Sequence, residues 1–229
     1  MMLVSTGNGE LDRRLGPNPH PAIIMIEGEP GSGKTIMACQ FTDGFLRAGL
    51  RAVYVSTEVL TLDVVKKMLA IKMEVLAHMG KRLRIVPLNV KKFSWDSLES
   101  SRLLSKLSTY ITTMERADLI VIDNLSTLMS LSTKLEMLDF LRRCRLLSRD
   151  GTTVILTVHP AAVQESLMME IKSMIDVSYR VSGFSMAGRR LKSLERMKGV
   201  GSNGGSDLIS FDIDPSLGIK IVPLSVSKS

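Results

Sequence analysis

A chain of 229 residues is long enough for one sizeable α/β domain with its own core, and residues 1–229 are read as that single domain. Its composition is that of an ordinary globular protein. Two cysteines exclude a disulfide-built scaffold, and no apolar run reaches the ~18–20 residues that span a bilayer. The net charge of +7 admits a nucleic acid, an anionic membrane surface or an acidic protein as partner without choosing among them.

The first organised stretch is Ser5–Gly16. Gly7 and Gly9 mark a turn, and a short helix over Glu10–Leu15 ends at Gly16. A Pro-rich lead, Pro17–Pro21, carries His20 in solvent. Ala22–Ile26 is a short apolar run of the kind that forms a buried strand. Gly28-Glu29-Pro30-Gly31-Ser32-Gly33-Lys34-Thr35 follows and has the form G-x-x-x-x-G-K-T of a phosphate-binding loop. Glycines let the backbone take positive φ and bring N–H groups to an anion at the start of a helix. Lys34 reaches the β- and γ-phosphates of a nucleotide, and the Thr35 hydroxyl ligates Mg²⁺. The helix opened by Thr35 runs to Ala48-Gly49 and holds Cys39 as a buried thiol; Cys144 has the same character in a later helix.

Ala52–Ser56 is a second strand, followed at once by Thr57-Glu58. Ligands of open α/β sheets bind beyond the carboxyl ends of strands, which puts Glu58 on the rim of the phosphate loop. There it either orients an attacking water or caps the next helix. Leu62–Leu76 has helical spacing, with His78 in the turn that ends it, and Leu83–Leu88 reads as a strand. Lys91-Lys92 beside Phe93 and Trp95, ahead of a helix from Asp96 to Met114, is either a nucleic-acid patch or, more commonly, a helix entry with a packed aromatic. Asp118–Asp123 is an apolar strand ending in Asp. Paired with the phosphate loop, it reads as a Walker B strand whose Asp123 holds Mg²⁺. Leu135–Leu147 is an amphipathic helix with Arg142, Arg143 and Arg145 on a solvated face. Thr153–Val158 is another buried strand, and His159 at its end either senses the γ-phosphate or satisfies local backbone groups. Loop and helix follow to Met174. The remainder is β-rich, over Val177–Ser182, Arg189–Lys198, Leu208–Asp214 and Ile219–Leu224, with a loop at Gly201–Gly205.

Thr6-Gly7 with Leu11-Asp12, Gly28–Thr35, Thr57-Glu58, Asp123–Ser126 and Glu195-Arg196-Met197-Lys198-Gly199, in that order, resemble the RecA superfamily and within it the KaiC-like group. Ser5–Asn8, the segment Pro87-Leu88-Asn89 with Lys91–Phe93, and Asp212–Lys220 resemble the single-domain branch of that group found in the archaeal swimming motor, the archaellum. The likeness covers nearly the whole chain. It implies a mostly parallel central sheet flanked by helices, with a β-rich C-terminal part, binding ATP with Mg²⁺. It implies a homo-hexameric ring at the cytoplasmic face of the membrane. The implied partners are the motor and secretion ATPase, the membrane platform protein and the motor scaffold ring. Arg196 and Lys198 would reach a neighbouring subunit's nucleotide, and Asp214-Pro215 would lie near the base.

One departure bears on chemistry. Active KaiC-like ATPases carry two adjacent glutamates after the second strand, whereas here the first position is Thr57. Phosphate holding is untouched and water activation is weakened, so slow or absent hydrolysis is expected, with a Ser/Thr autokinase at Thr57 as an alternative. A recombinase-like DNA-dependent ATPase is the other. Its DNA-binding loops would be Asn124–Thr133 and Pro160–Ile171, which contain no Lys or Arg, while phosphate binding draws on cations. Leu125, Leu128, Met129, Leu131, Leu167, Met168 and Met169 in those loops are expected to face a protein partner, and nucleic acid is disfavoured.

Overall fold

Two short antiparallel strands, β1 (Met2–Val4) and β2 (Asn18–His20), bracket the first helix, α1 (Gly9–Leu15). The Asn8 side chain caps that helix by accepting from the N–H groups of Glu10 and Leu11. The computed structural model describes residues 2–88, 102–162, 164–186, 188–199 and 208–222. Asn89, the lysines and aromatics of 91–95, the helix start expected at Asp96, the Gly201–Gly205 loop and Pro223-Leu224 lie outside the described residues.

The main sheet is built from β3 (Ile23–Glu27), β4 (Ala52–Ser56), β5 (Leu83–Pro87), β6 (Leu119–Asp123), β7 (Thr153–Val158), β8 (Val177–Met186), β9 (Arg189–Lys198), β10 (Leu208–Asp214) and β11 (Gly218–Val222). Its order is β11-β10-β9-β8-β3-β7-β6-β4-β5. From β8 through β5 the pairing is parallel, and from β8 to β11 it is antiparallel. Strands β3, β4, β6 and β7 are buried along their whole length, because helices cover both faces. That is why they read as unbroken apolar runs rather than alternating ones.

The alternation survives in where the side chains go. Ile24 and Ile26 join a core with α1, α2 (Lys34–Arg47) and α3 (Thr61–Ala70). Ile23 and Met25 join a second core under α5 (Leu103–Thr113), α6 (Ser126–Met129), α7 (Lys134–Arg149) and α8 (Glu165–Ser173); the short α4 (Val75–His78) sits on the first side. After β3 the chain skips two positions to lay down β4, and β6 and β7 fill the gap later. The carboxyl ends of β3, β4, β6 and β7 therefore share one rim.

Three expectations need correction. His20 is buried rather than solvated: its Nδ1 lies 2.8 Å from Thr153 Oγ1 and its ring packs edge-on against Phe45. Burial accordingly holds its imidazole below the usual histidine range. The helical run Leu62–Leu76 is two helices, because the chain turns at Lys72, a non-glycine residue with φ of 64°. Arg145 is not part of a solvated face; its guanidinium grips both oxygens of Asp176 at 2.8 and 2.9 Å and donates to the Met174 carbonyl.

The Ser5–Gly7 segment crosses α2 so closely that only glycine fits beneath it. A Cβ at Gly44 would lie 1.9 Å from the Ser5 carbonyl oxygen, while Gln40 Nε2 donates to the Thr6 carbonyl at 3.0 Å. In an ordinary helix interior, replacing glycine by alanine stabilises by roughly 0.5–1 kcal/mol. Gly44→Ala should instead cost on the order of 1–3 kcal/mol, because backbone must move. Urea unfolding of the variant checks this, and a neutral or stabilised Gly44→Ala would refute the close crossing.

Candidate functional site

The loop between β3 and α2 is shaped by its glycines. Gly31 and Gly33 take φ of 76° and 115°, in the left-handed region. Gly28 is required for space: a Cβ there would meet the Val181 carbonyl oxygen at 2.2 Å and Ser32 Oγ at 2.6 Å. The turn delivers the chain to α2, whose N-cap is Gly33 and which has no side-chain cap and no acid in its first turn. The leading N–H groups and the positive end of the helix dipole are thus left to a ligand. Lys34 is buried and its ammonium donates to the carbonyls of Gly28 and Glu29 at 2.8 and 2.9 Å. Burial pulls it below the usual lysine range, opposed by Asp123, Glu58 and Glu29.

Asp123 ends β6 facing that loop. Its Oδ1 accepts from Thr157 Oγ1 at 2.7 Å and from Thr35 Oγ1 at 3.2 Å, and its Oδ2 accepts from the Tyr54 hydroxyl at 2.8 Å. Tyr54 is fully buried, and burial together with Asp123 pushes its phenol up, so it stays a donor. Beyond Asp123, the Thr57 hydroxyl accepts from Asn124 N–H at 2.9 Å and donates to the Asn124 carbonyl at 2.6 Å. Asn124 Nδ2 and Thr127 Oγ1 both reach Glu58 Oε1, at 3.2 and 3.3 Å. Ser126 Oγ accepts from His159 N–H at 2.6 Å, and His159 Nε2 lies 3.1 Å from Glu29 Oε2.

Together these groups line an open cavity of about 650 Å³. The expected residues Pro30, Gly31, Gly33, Lys34, Thr35, Glu58, Asp123 and His159 line it. Thr57 lies beneath it, fully buried, with its hydroxyl committed to the Asn124 peptide. Asp214 and Pro215 do not line it. They form the β10–β11 turn, where Asp214 accepts from the N–H groups of Ser216 and Leu217 and is held below the usual carboxylate range by them. The following Gly218 packs on the Ile71 carbonyl. Arg196 and Lys198 of β9 do not line the cavity either, and Lys198 Nζ donates to the carbonyls of Lys172 and Ile175.

Four contributors are not singled out by the sequence. Tyr54 and Thr157 sit inside strands that read as apolar, and their role depends on which strand flanks Asp123. Lys67 and Lys192 also line the cavity, and only the folded arrangement of α3 and β9 brings them there. The apolar partner face expected in the two rim loops needs correction. Leu125, Leu128, Met129 and Met168 are core residues beneath α6 and α8, and Leu131 and Leu167 pack partly buried against them, leaving Met169 exposed. Apolar side chains in a loop that folds back as a helical turn go inward, because burial is worth ~1.5–3 kcal/mol for each.

The donor set fits a magnesium nucleotide. The left-handed glycines, the uncapped helix start, the buried lysine and the Ser32 hydroxyl, which is buried with no partner among the described residues, all suit phosphate oxygens. A threonine hydroxyl beside a carboxylate suits a hard divalent cation. A mostly parallel sheet carrying this loop and this acid-ended strand on one rim defines a RecA-fold, P-loop nucleotide-binding domain.

The sequence model of the KaiC ATPase family matches residues 4–226. The archaeal flagellar ATP-binding protein FlaH of Sulfolobus acidocaldarius is 43% identical over 229 residues, covering all of both chains. FlaH of Methanocaldococcus jannaschii is 26% identical over 98% of this chain and 97% of its own. Among solved structures, the flagellar accessory protein FlaH of Methanocaldococcus jannaschii superposes with a TM-score of 0.80 at 24% identity, over 93% of this chain and 95% of that one. A KaiC-like protein of Pyrococcus horikoshii does so at 0.69 and 20% identity, over 97% and 99%. The chain belongs to the KaiC-like ATPases and, among them, to the family of the archaeal flagellar ATP-binding protein FlaH. Among the described residues no helix is long and apolar enough to cross a membrane.

The three hydroxyls around Asp123 lead to a measurable expectation. Tyr54→Phe removes one donor from a buried carboxylate and should cost about 1–3 kcal/mol of stability. In an Asp123→Asn background the same change should cost less than half as much, because the charge it served is gone. A double-mutant cycle by urea denaturation measures both, and equal costs in the two backgrounds would contradict the coupling.

Proposed function

We propose that this chain is an ATP- and Mg²⁺-binding assembly subunit of the archaellum motor, acting as a nucleotide-dependent homo-hexameric ring. Its hydrolysis is slow or absent. The observation that carries this reading is the meeting of Lys34, Thr35 and Asp123 at an uncapped helix start. Phosphates would be held by the Gly28–Thr35 backbone and Lys34, and Mg²⁺ by Thr35 and Asp123. The bound ion would neutralise phosphate charge there. The archaellum setting rests on the relatives, which are named flagellar. By the same likeness the ring would work at the cytoplasmic face of the membrane, meeting the motor ATPase, the platform protein and the scaffold ring.

Slow turnover is supported by the chemistry of the rim. Glu58 is the carboxylate available to orient a water, and it is already shared between Asn124 and Thr127. Thr57 occupies the neighbouring position as a positioning residue for the Asn124 peptide, and a hydroxyl that is buried and doubly bonded is a poor phosphate acceptor. His159 would read the terminal phosphate through its link to Glu29. Asp214-Pro215 would face the base. Arg196 and Lys198 would serve a neighbour's nucleotide, and Lys198 would have to release the carbonyls it now caps.

Titration of Mg²⁺-ATP by calorimetry tests the binding step. Lys34→Ala should lose about tenfold to a hundredfold in affinity, as expected for removal of a charge-assisted phosphate contact. Light scattering on the same samples should report the ring with wild type and ATP, and smaller species for Lys34→Ala. Unchanged affinity, or a monomer at saturating ATP, would overturn the proposal.

Hydrolysis should stay well below the ~10 s⁻¹ typical of enzymes, and Glu58→Gln should abolish what there is while leaving ATP affinity within about threefold. Phosphate release measured alongside calorimetry separates the two effects. A Glu58→Gln variant that turns over like wild type would remove Glu58 from the mechanism.

A further inference from the structure

We infer that Lys192 is a second phosphate-binding cation of the site, supplied by the same chain. This rests on the nucleotide reading above and names a residue that neither the phosphate-loop motif nor the likeness to KaiC-like proteins points to.

The observation is the position of Lys192 on the antiparallel extension of the sheet. In β9 it pairs with Gly183 of β8 on one side and Phe211 of β10 on the other. β8 runs parallel to β3, so its Val181 passes directly behind the loop, and its carbonyl is what forbids a side chain at Gly28. The neighbouring strand then carries Lys192 over the far lip of the loop. Its stem lies against Gly33: a Cβ there would fall 3.0 Å from Lys192 Cδ and 3.3 Å from Cε. The side chain therefore needs the absence of one at Gly33, which already uses glycine for its φ of 115°.

Lys192 lines the cavity shared by Lys34, Thr35 and Asp123, and it also lines a second opening between the loop's outer face and the β8–β9 hairpin. Among the described residues its ammonium has no ion-pair or hydrogen-bond partner, in contrast to Lys34 and Lys198, which are tied to backbone carbonyls. A lysine with its stem packed and its head unpaired at the edge of an anion cradle is arranged to meet an anion. With Lys34 on one side and Lys192 on the other, a phosphate chain on the loop would be clamped from two elements distant in sequence. A phosphate pulling on Lys192 would also pull on β9, and so connect nucleotide occupancy to the antiparallel part of the sheet.

Lys192→Met keeps the apolar stem over Gly33 and removes only the charge. Calorimetry with Mg²⁺-ATP should show about a fivefold to thirtyfold loss of affinity, a weaker dependence of affinity on salt than wild type, and an unaltered melting temperature without nucleotide. Lys192→Arg should recover most of the affinity. Lys192→Met binding within twofold of wild type, while Lys34→Ala is weakened about tenfold or more, would leave the nucleotide reading intact and overturn this inference. Absence of ATP binding by wild type would overturn both.

Discussion

A single buried carboxylate organises the rim of this protein. Asp123 stands at the end of a central strand with helices on both faces, where an unsatisfied charge would cost several kcal/mol. It is satisfied by hydroxyls from three different elements: Tyr54 of β4, Thr157 of β7 and Thr35 of α2. Each bond fixes one neighbour, so the carboxylate holds the strands in register at their functional ends and draws the phosphate loop toward them. The backbone just beyond is locked by Thr57, which bonds the Asn124 peptide on both sides, and from there Glu58, Ser126 and His159 take their places. Neutral donors around a carboxylate leave its charge in place, which is what a cation site needs.

The opposite wall is built on a different principle. Glu27, the last residue of β3, is buried and paired with Lys172 of α8 at 2.6 Å and Arg180 of β8 at 3.0 Å. That triad anchors the strand immediately before the phosphate loop to the antiparallel half of the sheet. The hydroxyl network on one side and the ion triad on the other leave the loop itself as the part whose groups are least committed to protein. Ser32, with no partner among the described residues, and Lys34, held by carbonyls of its own turn, both belong to it.

Much of this is legible in the sequence because it is local. The phosphate loop is a contiguous string whose glycines and lysine each have a backbone reason. The central strands announce themselves as short apolar runs between turns, and the observed bounds of β4, β7, β9 and β10 coincide with the expected ones. What cannot be read is relational. Tyr54 looks like one more strand residue until β4 is laid beside β6. Lys192 looks like a surface charge until β9 is laid beside β8. His20 sits in a proline-rich lead that reads as solvent-exposed, yet Thr153, 133 residues further along the chain, and Phe45 of α2 come to it. Leu128 and Met129 read as surface for the converse reason: a loop in sequence becomes a helical turn whose apolar side faces the second core.

Both cysteines are free and fully enclosed, Cys39 on α2 against the Tyr54 hydroxyl and Cys144 on α7, and burial drives their thiols up, that of Cys39 to about 12. Thiolates are scarce at neutral pH under those conditions, and maleimide or methanethiosulfonate reagents find no native target in the folded chain. The molecule is thus a natural host for single-site spectroscopic labels. A cysteine introduced on the β8–β9 hairpin would carry a fluorophore or nitroxide alone, and the environment of that hairpin would then be readable without first stripping the protein of its own sulfur.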